Sequence, residues 1–143
     1  METLQRLTRR QLEALRIVAS HAGTDHGVSL TLVAAGLRVR PPSALEHLGP
    51  LEELGLIRRF RGKSQVTRRG LTCLDEYVRH HRVAESLFAR AGLSPQATHH
   101  AALEVDLALS HRTVQEICEG SGHPRVCPHG RPIGPCSDAE AGS

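Results

Sequence analysis

Leucines at helical spacing are the feature that most constrains the fold of this 143-residue chain. Near the N-terminus, apolar residues recur along one helical face and stop before Ala22 and Gly23, as in an amphipathic helix. The recurring residues are Leu4, Leu7, Leu12, Leu15 and Val18. Only 2% of the residues are aromatic, so the core is built from Leu, Ala and Val, which favours helices over sheets. We therefore predict a mainly α-helical fold.

Two more helices and a hairpin are predicted in the first half. Ser29 is a good N-cap for a short helix. Prolines 41–42 cannot continue that helix but can open the next, which ends at Gly55. Residues 56–67 then predict two short strands around an Arg-Gly-Lys turn. Three helices followed by a small hairpin are the pattern of a winged helix-turn-helix.

The second half is more plainly helical. A long helix is predicted from about Arg69 to Ala91. Ser94, followed by proline, caps the next helix, and Ser110 caps the last one. From His123 onward Pro, Gly, Cys and small polar residues prevail, which predicts an irregular tail.

Charge is distributed unevenly between the two halves. Residues 1–70 hold 12 Arg or Lys against 6 Asp or Glu, whereas residues 71–143 hold 6 against 9. A basic first half predicts a module that binds a polyanion. We find no apolar run of the roughly 18–20 residues that a membrane span needs, and no secretory signal. We therefore expect a cytoplasmic protein without a membrane partner.

The hairpin is the most basic part of the chain. Six basic and no acidic residues lie between Arg58 and Arg69, which favours contacts with DNA phosphates over a merely solvated hairpin. We predict DNA contacts in three places: the turn before the third helix, the first turns of that helix, and the hairpin. These are Arg38, Arg40, Ser43, His47, Arg59, Arg61 and Lys63.

The third helix is a weak reader of base sequence. Pro50 should kink or divide it, because an interior proline removes a hydrogen bond. Glu46 would repel phosphates, although it could accept a hydrogen bond from a cytosine amino group. These two residues leave open an alternative, a dimeric adaptor that has lost operator recognition.

Four stretches of the chain resemble the iron- and manganese-dependent repressors named after the diphtheria toxin repressor. They are PPSALEHLGPLEELGLI, VTRRG, RHHRVAESLF and HPRVCPHGRPIG. The resemblance implies a homodimeric repressor that is activated by Fe²⁺, Mn²⁺ or a related ion to bind a double-stranded DNA operator. It divides the chain, in the two-domain form of the family, into a winged helix-turn-helix domain (1–70), a helical metal-binding and dimerisation domain (71–122) and a tail (123–143).

The resemblance also implies metal ligands. His81 and Glu85, spaced i and i+4, share one helix face, and His99 follows on the next helix. Two imidazoles and a carboxylate suit Fe²⁺, Mn²⁺ or Zn²⁺, and water or tail groups would complete the coordination. The alternative is a hydrated polar face. A metallohydrolase on these residues lacks an obvious general base, so we do not expect an enzyme.

The second metal site of the family is degraded in this chain. Its ligand positions fall on Arg10, Leu103, Asp106 and Leu107, so that Asp106 alone remains as a candidate metal ligand. An ion pair between Arg10 and Asp106 could instead link the domains where the metal normally does, and whether the protein is then metal-independent stays open. A small shift of the alignment would favour His100 and Glu104, again spaced i and i+4, as an alternative pair.

The tail offers an alternative sensing site. Cys118, Cys127 and Cys136 are spaced nine residues apart, with His129 among them. Three thiols and an imidazole could hold Zn²⁺ or an iron–sulfur cluster, which would make the protein a cluster or thiol sensor. The other interpretation is that these cysteines are structural.

Overall fold

The structure is a computed structural model that describes residues 2–23 and 26–134. It is mainly helical with one small sheet, in agreement with the composition. Its residues form two compact units. The first unit is Arg6–Asp75, and the second combines the described residues up to Gln5 with those from Glu76 onward. Within the described residues, no helix is both long enough and apolar enough to cross a membrane.

The first unit contains three helices and three strands, preceded by a single 3₁₀ turn at Leu4–Arg6. In chain order they are α1 (Arg9–Ala19), β1 (Val28–Ser29), α2 (Leu30–Leu37), α3 (Pro41–Glu53), β2 (Ile57–Phe60) and β3 (Lys63–Val66). The next helix, α4 (Arg68–Arg90), begins in this unit and continues into the second.

Thr8 interrupts the helix predicted from Leu4 onward. Its backbone is extended, its hydroxyl accepts from the Gln11 amide at 3.1 Å, and its own amide donates to Oε1 of Gln11 at 3.0 Å. This reciprocal pair is a capping box. It starts α1 at Arg9, and hydrophobic spacing alone does not reveal such a local stop.

Pro50 does not divide α3, so that part of our prediction was wrong. The helix runs unbroken from Pro41 to Glu53. Pro50 lies in the last turn, and its carbonyl still accepts from the amide of Leu54 at 3.0 Å. The apolar face of α3, which includes Leu48 and Leu51, is fully buried, and this burial offsets the lost hydrogen bond.

The hairpin forms as predicted, but in a larger sheet. Strands β2 and β3 pair antiparallel, with Phe60 opposite Lys63. The two residues between them, Arg61 and Gly62, both have positive φ (49° and 75°), as a type I′ turn requires. The two-residue strand β1 pairs with β3 on its other side. Two residues carry too little alternation for β1 to be predicted.

The second unit is built on α4, α5 (Pro95–Val105) and α6 (His111–Gly120). Ser94 and Ser110 cap α5 and α6 as predicted, each accepting from the amide three residues later. The buried cluster that joins α4, α6 and the tail consists of Val83, Val114, Cys118, Cys127 and Ile133. At the N-terminus, Gln5 donates to the carbonyl of Ala108 and Glu2 accepts from the amide of His111.

The tail folds back on itself as far as Gly134. The amide of Cys127 donates to the carbonyl of Arg131 at 2.8 Å, and that of Ile133 donates to the carbonyl of Arg125 at 2.8 Å. Arg82 of α4 also donates to the carbonyl of Pro132. These bonds fix a segment that composition alone predicted to be irregular.

His80 on α4 is the most unusual core residue. Its side chain is completely buried, and neither ring nitrogen has a hydrogen-bond partner within the described residues. Its ring lies 6.0 Å from that of His111. Burial, followed by the charge of His111, lowers the pKa of His80 from 6.5 to about 4. His80 is therefore a neutral core residue at pH 7.

We predict that Gly70→Ala destabilises the first unit. A Cβ at this position would lie 2.1 Å from the carbonyl oxygen of Leu56 and 2.8 Å from Cγ2 of Val66. Relieving such overlap costs about 2 kcal/mol or more. The free energy of unfolding, measured by urea denaturation, should fall by that amount. Gly49→Ala is the matched control. Outside its chain neighbours and the backbone of its own helix, its Cβ meets nothing within 4 Å. The free energy of unfolding of this variant should therefore stay within about 1 kcal/mol of the wild-type value, since the helix propensity gained by alanine is opposed by the ring of Pro50. Equal stabilities of the two variants would contradict this account.

We predict that His80 makes stability depend on pH. Because the pKa of His80 is lower in the folded state, the unfolded state binds more protons below pH 6.5. The free energy of unfolding should therefore fall by up to about 3 kcal/mol as the pH is lowered from 6.5 towards 4. His80→Leu should flatten the slope of unfolding free energy against pH in this range, measured with a chelator present. Exposed His100 provides the control, since His100→Gln should keep the slope. A His80→Leu slope equal to the wild-type slope would refute the prediction.

Candidate metal centre

Helix α4 places two polar side chains against each other in the second unit. His81 and Glu85 are one helical turn apart, and Nε2 of His81 lies 2.9 Å from Oε1 of Glu85. Glu85 is only 3% exposed. A carboxylate at this depth requires a positive or hydrogen-bonding partner, because burial of an uncompensated charge is costly.

Asp106 lies behind His81. Its Oδ2 is 2.8 Å from Nδ1 of His81 and accepts a hydrogen bond of the same length from the hydroxyl of Tyr77. Asp106 is fully buried. If Nδ1 carries the proton, Nε2 keeps its lone pair and faces Glu85. A carboxylate behind a metal-binding histidine commonly orients the ring in this way.

His99 on α5 approaches the same place from the next helix. Its ring centroid is 5.2 Å from that of His81, at an angle of 74°. One ligand atom from each of His81, Glu85 and His99 can be chosen so that all lie within 4.8 Å of one another. We call these three residues the helix group.

The tail brings a second group of ligand atoms to Glu85. Nδ1 of His129 lies 2.5 Å from Oε2 of Glu85, and ligand atoms of Glu85, Cys127 and His129 all lie within 4.8 Å of one another. We call these three residues the tail group. The turn that presents them is closed by a bond from the amide of Gly130 to the carbonyl of Cys127.

The geometry around Glu85 fits a bound cation. Within the described residues, Oε2 of Glu85 has no hydrogen bond of acceptable geometry, although Nδ1 of His129 is so near. Glu85 and His129 each offer a ligand atom that a common ion could reach, together with Cys127. Imidazole, carboxylate and thiolate are all ligands of Zn²⁺ and Fe²⁺.

Not all of the tail thiols join this centre. Cys118 is packed in the apolar cluster, with its sulfur 3.8 Å from Nδ1 of His123. Cys136 lies outside the described residues. Of the four tail residues predicted as a cluster site, the described structure therefore brings Cys127 and His129 together in one group of ligand atoms. The spacing of nine residues did not reveal that their partner is Glu85.

Of the positions of the degraded site, Arg10 belongs to the first unit, and Leu103, Asp106 and Leu107 belong to the second. In the first unit, Nη1 of Arg10 lies 3.3 Å from Oε2 of Glu13 and donates to the carbonyl of Leu37. In the second, Asp106 contacts Tyr77 and His81. Leu103 and Leu107 are half-buried there and offer no ligand atom. The ion pair between Arg10 and Asp106 stays a prediction.

The candidate DNA contacts all lie in the first unit. They occupy the α2–α3 turn (Arg38 and Arg40), the first turns of α3 (Ser43 and His47) and the hairpin (Arg59, Arg61 and Lys63). Sequence reasoning missed Phe60, which is 71% exposed and has the guanidinium carbon of Arg61 5.1 Å from its ring centroid. The sequence signal that could have identified Phe60 is that it is the single aromatic residue in the basic stretch from Arg58 to Arg69.

Comparison with known proteins connects these features to a family. The family model described as the iron dependent repressor, metal binding and dimerisation domain matches residues 67–135. Curated protein sequences gave no match. Among solved structures, a hypothetical protein of Sulfolobus solfataricus is similar at 25% identity and a TM-score of 0.84, over 90% of this chain and 99% of that one.

Two regulators are also similar over part of their length. IdeR of T. acidophilum is 25% identical with a TM-score of 0.59, over 89% of this chain and 59% of its own. A manganese-dependent transcriptional repressor, solved in complex with manganese, is 30% identical with a TM-score of 0.65, over 90% and 59%. This chain thus spans 59% of the length of each regulator. The family model, the regulators and the shared motifs together establish that the chain belongs to the family of metal-dependent repressors named after the diphtheria toxin repressor.

Proposed function

We propose that this protein is a homodimeric transcriptional repressor whose binding to duplex DNA depends on a divalent transition-metal ion. The observation that carries this proposal is the buried carboxylate of Glu85, on which ligand atoms from α4, α5 and the tail converge. A cation there would compensate the buried charge and tie the three segments together.

The ligands that we propose are His81, Glu85 and His99, joined by Cys127 and His129. This set suits Fe²⁺, Mn²⁺ or Zn²⁺, and one similar repressor is known in complex with manganese. Asp106 then acts through His81 as its orienting partner, because its Oδ2 contacts the ring nitrogen turned away from Glu85.

For DNA binding, we propose that the first unit is a winged helix-turn-helix. Helices α2 and α3 form the helix-turn-helix, and the β2–β3 hairpin forms the wing. Pro41 and Pro42 have no N–H, so the first amide of α3 that can meet a phosphate belongs to Ser43. Arg61 and Lys63 are exposed next to the tip of the wing, where they can contact the DNA backbone.

Dimerisation would couple the two functions. The division into 1–70, 71–122 and 123–143 remains our proposal for the domains, with the middle one pairing two chains, as the name of the matched family model suggests. Leu87 and Leu93, at and just beyond the end of α4, are 39% and 36% exposed and would contribute to that interface. Metal binding would then favour dimers whose recognition helices are about 34 Å apart, one turn of DNA.

The metal site is tested by Glu85→Gln, which removes the charge but keeps the shape. We expect the affinity for Mn²⁺ or Zn²⁺ to fall by about 100-fold or more, measured by isothermal titration calorimetry. Asp106→Asn should lower it by about 10–100-fold, the usual effect of an orienting partner. Glu104→Gln, an exposed carboxylate on α5, is the matched control and should bind as the wild type does. Unchanged affinity in Glu85→Gln would rule out this site.

DNA binding is tested by Arg61→Gln combined with Lys63→Gln. Fluorescence anisotropy with a generic duplex and saturating metal should give a salt slope that is lower by about 2, since each phosphate contact contributes about 0.9. Arg112→Gln, an 87% exposed arginine on α6, should leave the slope unchanged. Absence of salt-dependent binding in the wild-type protein would instead favour the adaptor interpretation.

A further inference from the structure

The first unit contains a single Phe, Tyr or Trp residue, and the structure places it on the surface. Phe60 is that residue, and it is 71% exposed, whereas the core of the unit is mainly aliphatic. A single exposed apolar side chain is common on protein surfaces, so the side chains around the ring decide whether it marks a site.

The hairpin presents Phe60 together with three polar side chains. Across the β2–β3 ladder, Phe60 pairs with Lys63 and Arg58 pairs with Gln65. Side chains alternate between the two faces of a strand, and Ser64, between Lys63 and Gln65, is buried. The four paired residues therefore share the face that is turned away from the core, and all four are exposed. We call this face the outer face of the hairpin.

A cavity of about 430 Å³ lies against the outer face. Gly27 has a φ of 70° and brings the segment before β1 so near to β3 that a Cβ there would lie 2.8 Å from the carbonyl oxygen of Ser64. Ligand pockets have volumes of about 300–1,000 Å³, so the cavity has room for one small ligand. The described residues that line it are His26, Phe60, Arg61, Lys63 and Gln65.

The ring of Phe60 and the guanidinium beside it offer two surfaces for a planar ligand. The guanidinium carbon of Arg61 lies 5.1 Å from the centroid of that ring. Aromatic rings and arginine guanidinium planes are the side-chain groups on which unpaired nucleobases stack. A base inside a duplex has its faces covered by its neighbours and must leave the stack to be bound in this way. The site therefore favours an unpaired base.

The charge of this surface favours a phosphate. Arg58, Arg61 and Lys63 are positively charged, and no acidic residue lies in the sequence from Arg58 to Arg69. Arginine and lysine are the side chains that bind phosphate groups. An aromatic ring for a planar group and cations for a phosphate, placed around one cavity, together define a single class of ligand.

The position of the ring distinguishes stacking from insertion into a duplex. Arg61 and Gly62 form the tip of the hairpin, and Phe60 precedes them with its ring at the cavity. Apolar side chains that kink DNA act as wedges, pushed between base steps from the minor groove. A ring that borders a cavity receives a planar ligand instead.

We propose that the outer face of the hairpin binds a nucleoside phosphate, with the base on Phe60 and the phosphate at Arg61 and Lys63. A free nucleotide and an unpaired nucleotide within a strand present this same chemistry. The inference goes beyond the proposed function, because it needs no metal ion and adds a ligand other than an operator duplex. Since Arg61 and Lys63 are also the proposed contacts with the duplex backbone, the two ligands compete.

The test measures binding of a dye-labelled oligo(dT) single strand to the full-length protein by fluorescence anisotropy. We expect the wild-type protein to bind the strand. Phe60→Ala should weaken binding by about 5–100-fold, the usual effect of removing one ring on which a base stacks. Phe60→Leu should weaken it to a similar extent, because leucine keeps the apolar bulk without a π-face. Phe60→Trp should retain the wild-type affinity or exceed it.

A matched variant separates stacking from the loss of an exposed apolar side chain. Leu71, on the first turns of α4, is 43% exposed. Leu71→Ala should therefore bind the strand as the wild type does. Because Phe60 is itself largely exposed, its replacement leaves the core intact, and the Phe60→Trp variant shows that a changed residue at this position is tolerated.

Competition identifies the source of the nucleotide. Unlabelled AMP, inorganic phosphate and an unlabelled strand are each added to the complex. Displacement by AMP at concentrations where phosphate has no effect would show that a free nucleotide is a ligand. Displacement by the unlabelled strand but not by AMP would identify the strand as the source. Both results support a nucleoside phosphate site.

Other results would overturn the inference. Equal displacement by phosphate and AMP, or equal binding by Phe60→Ala and the wild type, would reduce the surface to a basic patch without a base site. A wild-type protein that binds neither the strand nor AMP would also overturn it. These results leave the metal-dependent repressor intact, since metal affinity and duplex binding are measured in separate experiments.

Discussion

The burial of the Glu85 charge is the constraint on which the second unit depends. A carboxylate with 3% exposure is costly unless positive charge or hydrogen bonds surround it. Three segments that are distant in sequence supply the groups nearest to it: α4 with His81, α5 with His99, and the tail with Cys127 and His129. The helix caps and the tail turn matter because they set the positions of these side chains.

Much of the fold could be predicted from local chemistry. Ser29, Ser94 and Ser110 cap helices where the sequence placed them, since an N-cap depends on residues only a few positions away. The stop at Thr8 is also encoded locally, because Thr8 and Gln11 have the spacing of a capping box, but the leucine spacing alone does not show it. The continuity of α3 through Pro50 could not be predicted, because it depends on burial that outweighs simple propensity.

The candidate site could be predicted only in part. Helical periodicity places His81 and Glu85 on one face without any knowledge of the fold. The recruitment of His129 to the same carboxylate depends on a tail turn held by Arg82 and by backbone bonds, and no sequence spacing encodes that distance. For the same reason, the family resemblance marked Asp106 as a candidate ligand but could not show that its carboxylate contacts Nδ1 of His81.

The turn between β2 and β3 has a further consequence for recognition. Arg61 has a fixed left-handed backbone and a guanidinium that lies against the ring of Phe60. A free arginine side chain loses about 2 kcal/mol of rotamer entropy when it is immobilised. In the proposed contact with DNA, Arg61 would therefore lose less of that freedom than an arginine without such a contact. Phe60 would then favour binding by ordering its neighbour in advance, without having to touch the ligand.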